Sequence, residues 1–129
     1  MKYLLIVTAI IEAGAGAALI CSPSAIVMLL LGSPLDTPAA VALGRLAGVA
    51  LLALAVACWL AHYDEQSHAA RGVVSAMLLY NLGAVMVLAS AGIRAPSVGI
   101  ALWPAVALHA AMAAWCIAKN VPANKGEHS

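Results

Sequence analysis

The chain of 129 residues is 65% hydrophobic and only 9% charged, with a formal net charge of +1. Soluble domains are about 45–50% apolar and about 25% charged, so this composition excludes an ordinary soluble protein and places the chain in a membrane. Its six Lys and Arg residues, scattered along the sequence, cannot form the basic surface that binding to nucleic acid requires.

Four apolar segments are long enough to cross about 30 Å of hydrocarbon. They lie near residues 3–21, 38–61, 71–92 and 97–118. The connections after the second and third segments are short, which makes neighbouring helices antiparallel. The sequence therefore predicts an all-α fold, a single four-helix transmembrane bundle within residues 1–119, followed by a flexible cytoplasmic tail at 120–129.

The segment between the first two spans, SPSAIVMLLLGSPLDTP, is too short and too interrupted by Pro and Gly to cross. Ser22 as a cap and Pro23 at the first helical position predict the start of a helix, and Gly32 predicts its end. We expect this short helix, residues 23–31, to be interfacial and to pack on the outer end of the bundle.

An alternative interpretation makes residues 1–22 a cleaved signal peptide or a lipoprotein signal. The Glu in the apolar core of that segment and Ile20 just before Cys21 both fit such a signal poorly. A retained first transmembrane helix is the prediction that we carry forward.

The distribution of basic residues predicts the orientation of the bundle. Four of them flank the spans on the side that holds both termini: Lys2, Arg71, Lys119 and Lys125. The opposite side has only Arg94. By the positive-inside rule both termini are cytoplasmic, as expected for a multi-pass protein of a bacterial inner (plasma) membrane.

Polar residues within the spans form the main functional signal. At about 1.5 Å per residue, Glu12, Arg45, Asn81 and His109 fall in one central layer, about 10–18 Å below the outer end. We expect Glu12 and Arg45 to pair, with Asn81 and His109 completing their hydrogen bonds and Tyr80 adding a hydroxyl. Such a layer either fixes helix register or forms a polar pocket or proton relay, and both interpretations stay open.

Two further features concern helix packing. Gly44-x-x-x-Gly48 in the second span permits close backbone approach by a neighbouring helix. Pro104, within the predicted fourth span, is expected to free a backbone carbonyl and bend that helix.

Metal and haem sites receive little support from the sequence. Cys58, His62 and Cys116 fall near one level and could bind Zn²⁺ or Cu(I), but their spacing is equally typical of packing residues. His109 could ligate haem, yet no second buried histidine is expected at its depth. We predict no cofactor, and inert buried thiols at all three cysteines, the third being Cys21.

The stretch AIIEAGAGAAL, residues 9–19, resembles the first helix of the small multidrug resistance transporters. That resemblance implies four short helices and gives Glu12 the role of the membrane-embedded Glu that binds protons and cationic drugs in competition. The aromatic third-helix pattern of that family is absent, since LLYNLGAVMVLASAG contains only Tyr80.

Over most of its length the chain resembles an uncharacterised family of small four-span proteins of bacterial inner membranes. The segments that carry the resemblance are PSAIVMLLLGSPL, GRLAGVALLALAVACWLA, LLYN and LWPAVALHAAMAAWC. It implies the same number of spans and directs attention to Arg45, Asn81 and His109, without implying an activity.

From these features we predict a non-catalytic small membrane protein, either an accessory subunit or a binder of a small hydrophobic molecule. Its partners would be the lipid bilayer and either that ligand or a membrane subunit. A homo-oligomer is also compatible with the sequence. One alternative is a proton-coupled transporter of small molecules in which Glu12 titrates. A second is a membrane-embedded enzyme such as an isomerase, with Glu12 and His109 as acid and base.

Overall fold

A computed structural model describes residues 1–120. These residues form five α-helices and a short 3₁₀ turn: α1 (Lys2–Cys21), α2 (Pro23–Leu31), α3 (Pro38–Ala61), the turn at His62–Asp64, α4 (His68–Arg94) and α5 (Leu102–Asn120). Helices α1, α3, α4 and α5 are long and apolar enough to span a membrane. The predicted all-α four-helix fold is confirmed, and the short helix occupies the predicted residues. The predicted tail lies, from residue 121 on, outside the described residues.

Turn chemistry sets the ends of α2 and the start of α3. Gly32 ends α2 with a φ of 78°, in the left-handed region that favours glycine. Thr37 begins α3, because its hydroxyl accepts a hydrogen bond from the Ala40 N–H at 3.1 Å. Ser22 stands at the N-cap of α2 but makes no side-chain cap, so the fixed φ of Pro23 is the local feature that starts this helix.

The four long helices associate as two pairs. Helix α1 packs along α3 and α4 packs along α5, whereas contacts between the two pairs are few. Gly16 and Gly48 make the first pairing close: a Cβ atom built on either glycine would lie 2.7 Å from the carbonyl oxygen of the other. The predicted close approach at Gly48 is confirmed, while the space beside Gly44 is filled by Pro23 and Leu35.

A backbone strap joins the two pairs at the end of the bundle opposite the termini, which we call the strap end. The N–H groups of Gly99 and Ala101 donate to the carbonyls of Leu30 (3.1 Å) and Leu29 (2.9 Å) in the last turn of α2. Those carbonyls have no partner within their own helix, so the strap satisfies them. Because residues up to 101 serve in the strap, α5 begins at Leu102, five residues later than the predicted span.

The late start of α5 also changes the role of Pro104. This proline is the third residue of the helix, in the first turn, where backbone N–H groups have no intrahelical acceptor. No helical hydrogen bond is therefore lost at Pro104, and the predicted bend within the fourth span is wrong for this reason.

The other end of the bundle, which we call the terminal end, is tied by Glu65 and filled by an apolar core. The Glu65 carboxylate lies 3.1 Å from the amino group of Met1 and also accepts the backbone N–H of Lys2. These contacts with the amino terminus lower the pKa of Glu65. Behind them, side chains from all four long helices are buried together, among them Leu5, Cys58, Val74, Met77 and Cys116.

We expect Gly16→Ala and Gly48→Ala each to destabilise the bundle, since the added methyl group meets backbone that cannot move without separating α1 from α3. Overpacking of this kind costs about 1–3 kcal/mol. Gly14→Ala is the matched control, because nothing lies within 4 Å of a Cβ atom built there. Denaturation of the purified variants in mixed detergent micelles measures the effect, and equal stability of Gly14→Ala and Gly16→Ala would contradict the close packing.

Candidate functional site

A cavity of about 720 Å³ lies between the two helix pairs. Every helix contributes to its wall, and α2 contributes Ile26 and Leu30 at the strap end. The space exists because several lining residues are small, namely Ala15, Ala47, Gly83, Ala84 and Ala105. The volume falls within the range of about 300–1,000 Å³ that is typical of sites for small molecules.

The cavity lies where the packed core of the bundle ends. On α4 the buried stripe runs at helical spacing through Val74, Met77 and Asn81, and its continuation at Ala84 and Leu88 faces the cavity. On α1 and α5 the corresponding change from packed core to cavity falls at the level of the polar residues. The polar layer is therefore the floor of the cavity, toward the terminal end.

Three polar side chains line the cavity: Glu12, Tyr80 and His109. Glu12 is only 4% exposed, and its carboxyl group lies beside the hydroxyl of Tyr80. The rings of Tyr80 and His109 meet edge to face, with centroids 5.6 Å apart and planes at 81°. Residues from α1, α4 and α5 thus converge on one polar patch in an otherwise apolar wall.

Asn81 anchors this patch from behind. It is 1% exposed, its Nδ2 donates to the carbonyl of Met77 at 2.7 Å, and its Oδ1 lies 2.8 Å from Nδ1 of His109. The bond to Met77 follows the i to i−4 pattern that polar side chains adopt within helices. Asn81 therefore joins α4 to α5 and fixes one edge of the His109 ring.

Arg45 does not join the polar layer, and the predicted Glu12–Arg45 pair does not form. Arg45 is exposed, and the one ion pair within residues 1–120 is that of the amino terminus with Glu65. At 3.6 residues per turn Arg45 is rotated by about 60° from Gly48, which points at α1. It also lies about 10 Å from the start of α3, a distance over which a long side chain can extend toward the membrane surface.

The residues considered for metal binding serve in packing. Cys58, His62 and Cys116 are all buried, and Nδ1 of His62 is hydrogen-bonded to the backbone carbonyl of Trp59. In the part of the chain that the structure describes, no group of three or more His, Cys, Asp or Glu side chains converges to hold a metal ion. The expectation of buried thiols holds for Cys58 and Cys116, whereas Cys21 is exposed.

A polar pocket was one of the two interpretations that the polar layer left open, and the sequence carries a further signal for a cavity there. Ala15 follows Glu12 by three residues, Ala84 follows Asn81 by three, and Ala105 precedes His109 by four. Small residues that share a helix face with polar ones leave room beside them, and this coincidence on three spans marks the position of the space.

The fold and its interior thus define a small multi-pass membrane protein with a cavity between two helix pairs. The chain matches no family model, no curated protein and no solved structure.

The hydrogen bond between Asn81 and His109 predicts energetic coupling between α4 and α5. In a double-mutant cycle of Asn81→Leu with His109→Phe, we expect a coupling free energy of about 0.6 kcal/mol, the average for such bonds within membranes, and at most about 1.7 kcal/mol. The cycle is measured from unfolding of the four proteins in detergent. Ser75→Ala combined with His109→Phe is the control and should be additive within about 0.5 kcal/mol. A coupling no larger than that of the control would mean that the bond contributes no stability.

Proposed function

We propose that the protein is a non-catalytic binder of a small hydrophobic molecule, which occupies the cavity between the helix pairs. The observation that carries the proposal is the cavity of about 720 Å³, whose walls are apolar except for Glu12, Tyr80 and His109. An apolar wall favours an apolar ligand through burial, and a few convergent polar groups orient it.

The position of the cavity supports access from the bilayer. Leu79, Val87 and Leu108 line it and are also exposed on the outer surface of the helices. A molecule dissolved in the hydrocarbon can therefore reach the cavity by passing between the pairs, where contacts are few. Its polar group would then meet the floor formed by Glu12 and His109.

The proposed setting is a bacterial inner membrane with both termini in the cytoplasm. Lys2, Arg71 and Lys119 belong to the terminal end, whereas Arg94 alone ends α4 at the strap end. The positive-inside rule supports this orientation. An accessory role beside another membrane subunit, or in a homo-oligomer, is compatible with ligand binding.

Filling the cavity tests the proposal. With 1-naphthol as the probe, we expect ligand-dependent stabilisation of the purified protein, about 1.4 kcal/mol at a tenfold excess over Kd. Ala15→Phe places a ring in the cavity and should abolish the effect, because Ala15 is part of the wall. Ala17→Phe, on the same helix but outside the cavity wall, is the matched control and should retain it. Unchanged stabilisation of Ala15→Phe would place the probe elsewhere and reject the proposal.

A proton-coupled transporter is the second candidate, and one observation favours it. Glu12 faces the cavity, and no Lys or Arg side chain is paired with it within residues 1–120. An unpaired carboxylate in hydrocarbon is unfavourable by roughly 3 kcal/mol on insertion scales, and binding of either a proton or a cationic ligand removes that cost. Alternation between the two would couple transport of the ligand to that of the proton.

Proteoliposomes test the second candidate. The probe is benzyltrimethylammonium, a cation with an aromatic ring that does not cross the lipid by itself. An inward gradient of this cation should drive protons outward and raise the luminal pH, which a dye trapped in the vesicles reports. Glu12→Gln should abolish the response, and Asp36→Asn, which alters an exposed carboxylate in the loop before α3, should preserve it. A wild-type protein that leaves the luminal pH unchanged would reject proton-coupled transport of such cations and leave the binding role standing.

A further inference from the structure

The orientation of the Asn81 amide is determined by its surroundings. Its NH₂ group donates to the carbonyl oxygen of Met77 at 2.7 Å, an atom that can only accept. A flipped amide would place two acceptor oxygens in contact at that distance in a buried environment. The Oδ1 atom is therefore the one that faces His109, at 2.8 Å from Nδ1.

This orientation determines the tautomer of His109. Since Asn81 Oδ1 can only accept, Nδ1 of His109 must carry the hydrogen and donate it. In the neutral ring the other nitrogen, Nε2, then has no hydrogen and presents a lone pair. The edge-to-face contact with Tyr80 restricts rotation of the same ring, so this lone pair has a fixed direction.

The lone pair is available to a ligand. Among residues 1–120 no side chain or backbone group is hydrogen-bonded to Nε2 of His109, and no fully buried side-chain nitrogen or oxygen lacks a partner. Nε2 is therefore accessible, and His109 is part of the cavity wall. The Tyr80 hydroxyl, by contrast, lies beside the Glu12 carboxyl group.

We infer that the cavity selects apolar molecules that carry a hydrogen-bond donor, namely lipophilic alcohols and phenols, and that His109 Nε2 is the acceptor that selects them. The inference rests on the proposed function and adds the chemical class of the ligand. Ethers, esters and quinones offer only acceptors and would leave the lone pair of Nε2 unmatched.

A matched pair of probes tests the selection. 1-Naphthol and 1-methoxynaphthalene share one ring system, but only the first can donate. In thermal unfolding of the full chain in detergent, we expect 1-naphthol to bind roughly five- to tenfold more tightly, the contribution of one net hydrogen bond. His109→Phe should remove this preference while leaving binding of the ring system, and His68→Phe, at the exposed start of α4, should retain it.

Equal affinity of the two probes for the wild-type protein would overturn the inference and leave the proposed function intact. Absence of binding by both would reject the proposed function itself, and the inference with it.

Nitrogen NMR of ¹⁵N-histidine-labelled wild-type protein provides a test that needs no folded variant. The free protein should show His109 with a protonated Nδ1 and an unprotonated Nε2, and 1-naphthol should shift the Nε2 resonance where 1-methoxynaphthalene does not. A protonated Nε2 in the free, neutral ring would overturn the inference, whichever probe binds.

Discussion

The contact between Gly16 and Gly48 is the constraint on which the architecture depends. Because α1 and α3 meet there through backbone atoms, they pack as a close pair. Helices α4 and α5 form the second pair, and the two pairs share a packed core only toward the terminal end. At the strap end α2 and the loop before α5 bridge the pairs instead. The cavity is the space that this arrangement leaves between the two pairs.

Local sequence signals predicted the helices because hydrophobicity, Pro and Gly act within a few residues. The predicted second span, residues 38–61, and the short helix at 23–31 agree with the observed bounds of α3 and α2. The start of α5 could not be predicted in this way. It depends on hydrogen bonds from Gly99 and Ala101 to α2, about seventy residues earlier in the chain, and such long-range pairing leaves no periodic pattern in the sequence.

The polar layer shows that the axial position of a residue along its helix does not by itself predict which residues it contacts. Glu12, Asn81 and His109 were expected at one level, and in the structure Glu12 and His109 line the floor of the cavity while Asn81 lies behind His109. Arg45 has a similar axial position but a different rotation about its helix, and rotation is poorly determined when nearly every face of a span is apolar. The long Arg side chain also has an alternative to pairing that the short Glu lacks, since it can extend toward the headgroups.

The arrangement at the floor distinguishes a purely structural histidine from one that contacts a ligand. If His109 only held α4 against α5, the hydrogen bond from its Nδ1 to Asn81 would be sufficient. Its Nε2 would then be expected to accept a hydrogen bond from a neighbouring donor of the protein. Here Asn81 fixes one edge of the ring, Nε2 is accessible, and His109 is part of the wall of a largely apolar cavity. A lone pair in an apolar environment is unfavourable until it accepts a hydrogen bond. A ligand that carries a donor therefore removes this unfavourable free energy, which packing of apolar side chains would not change.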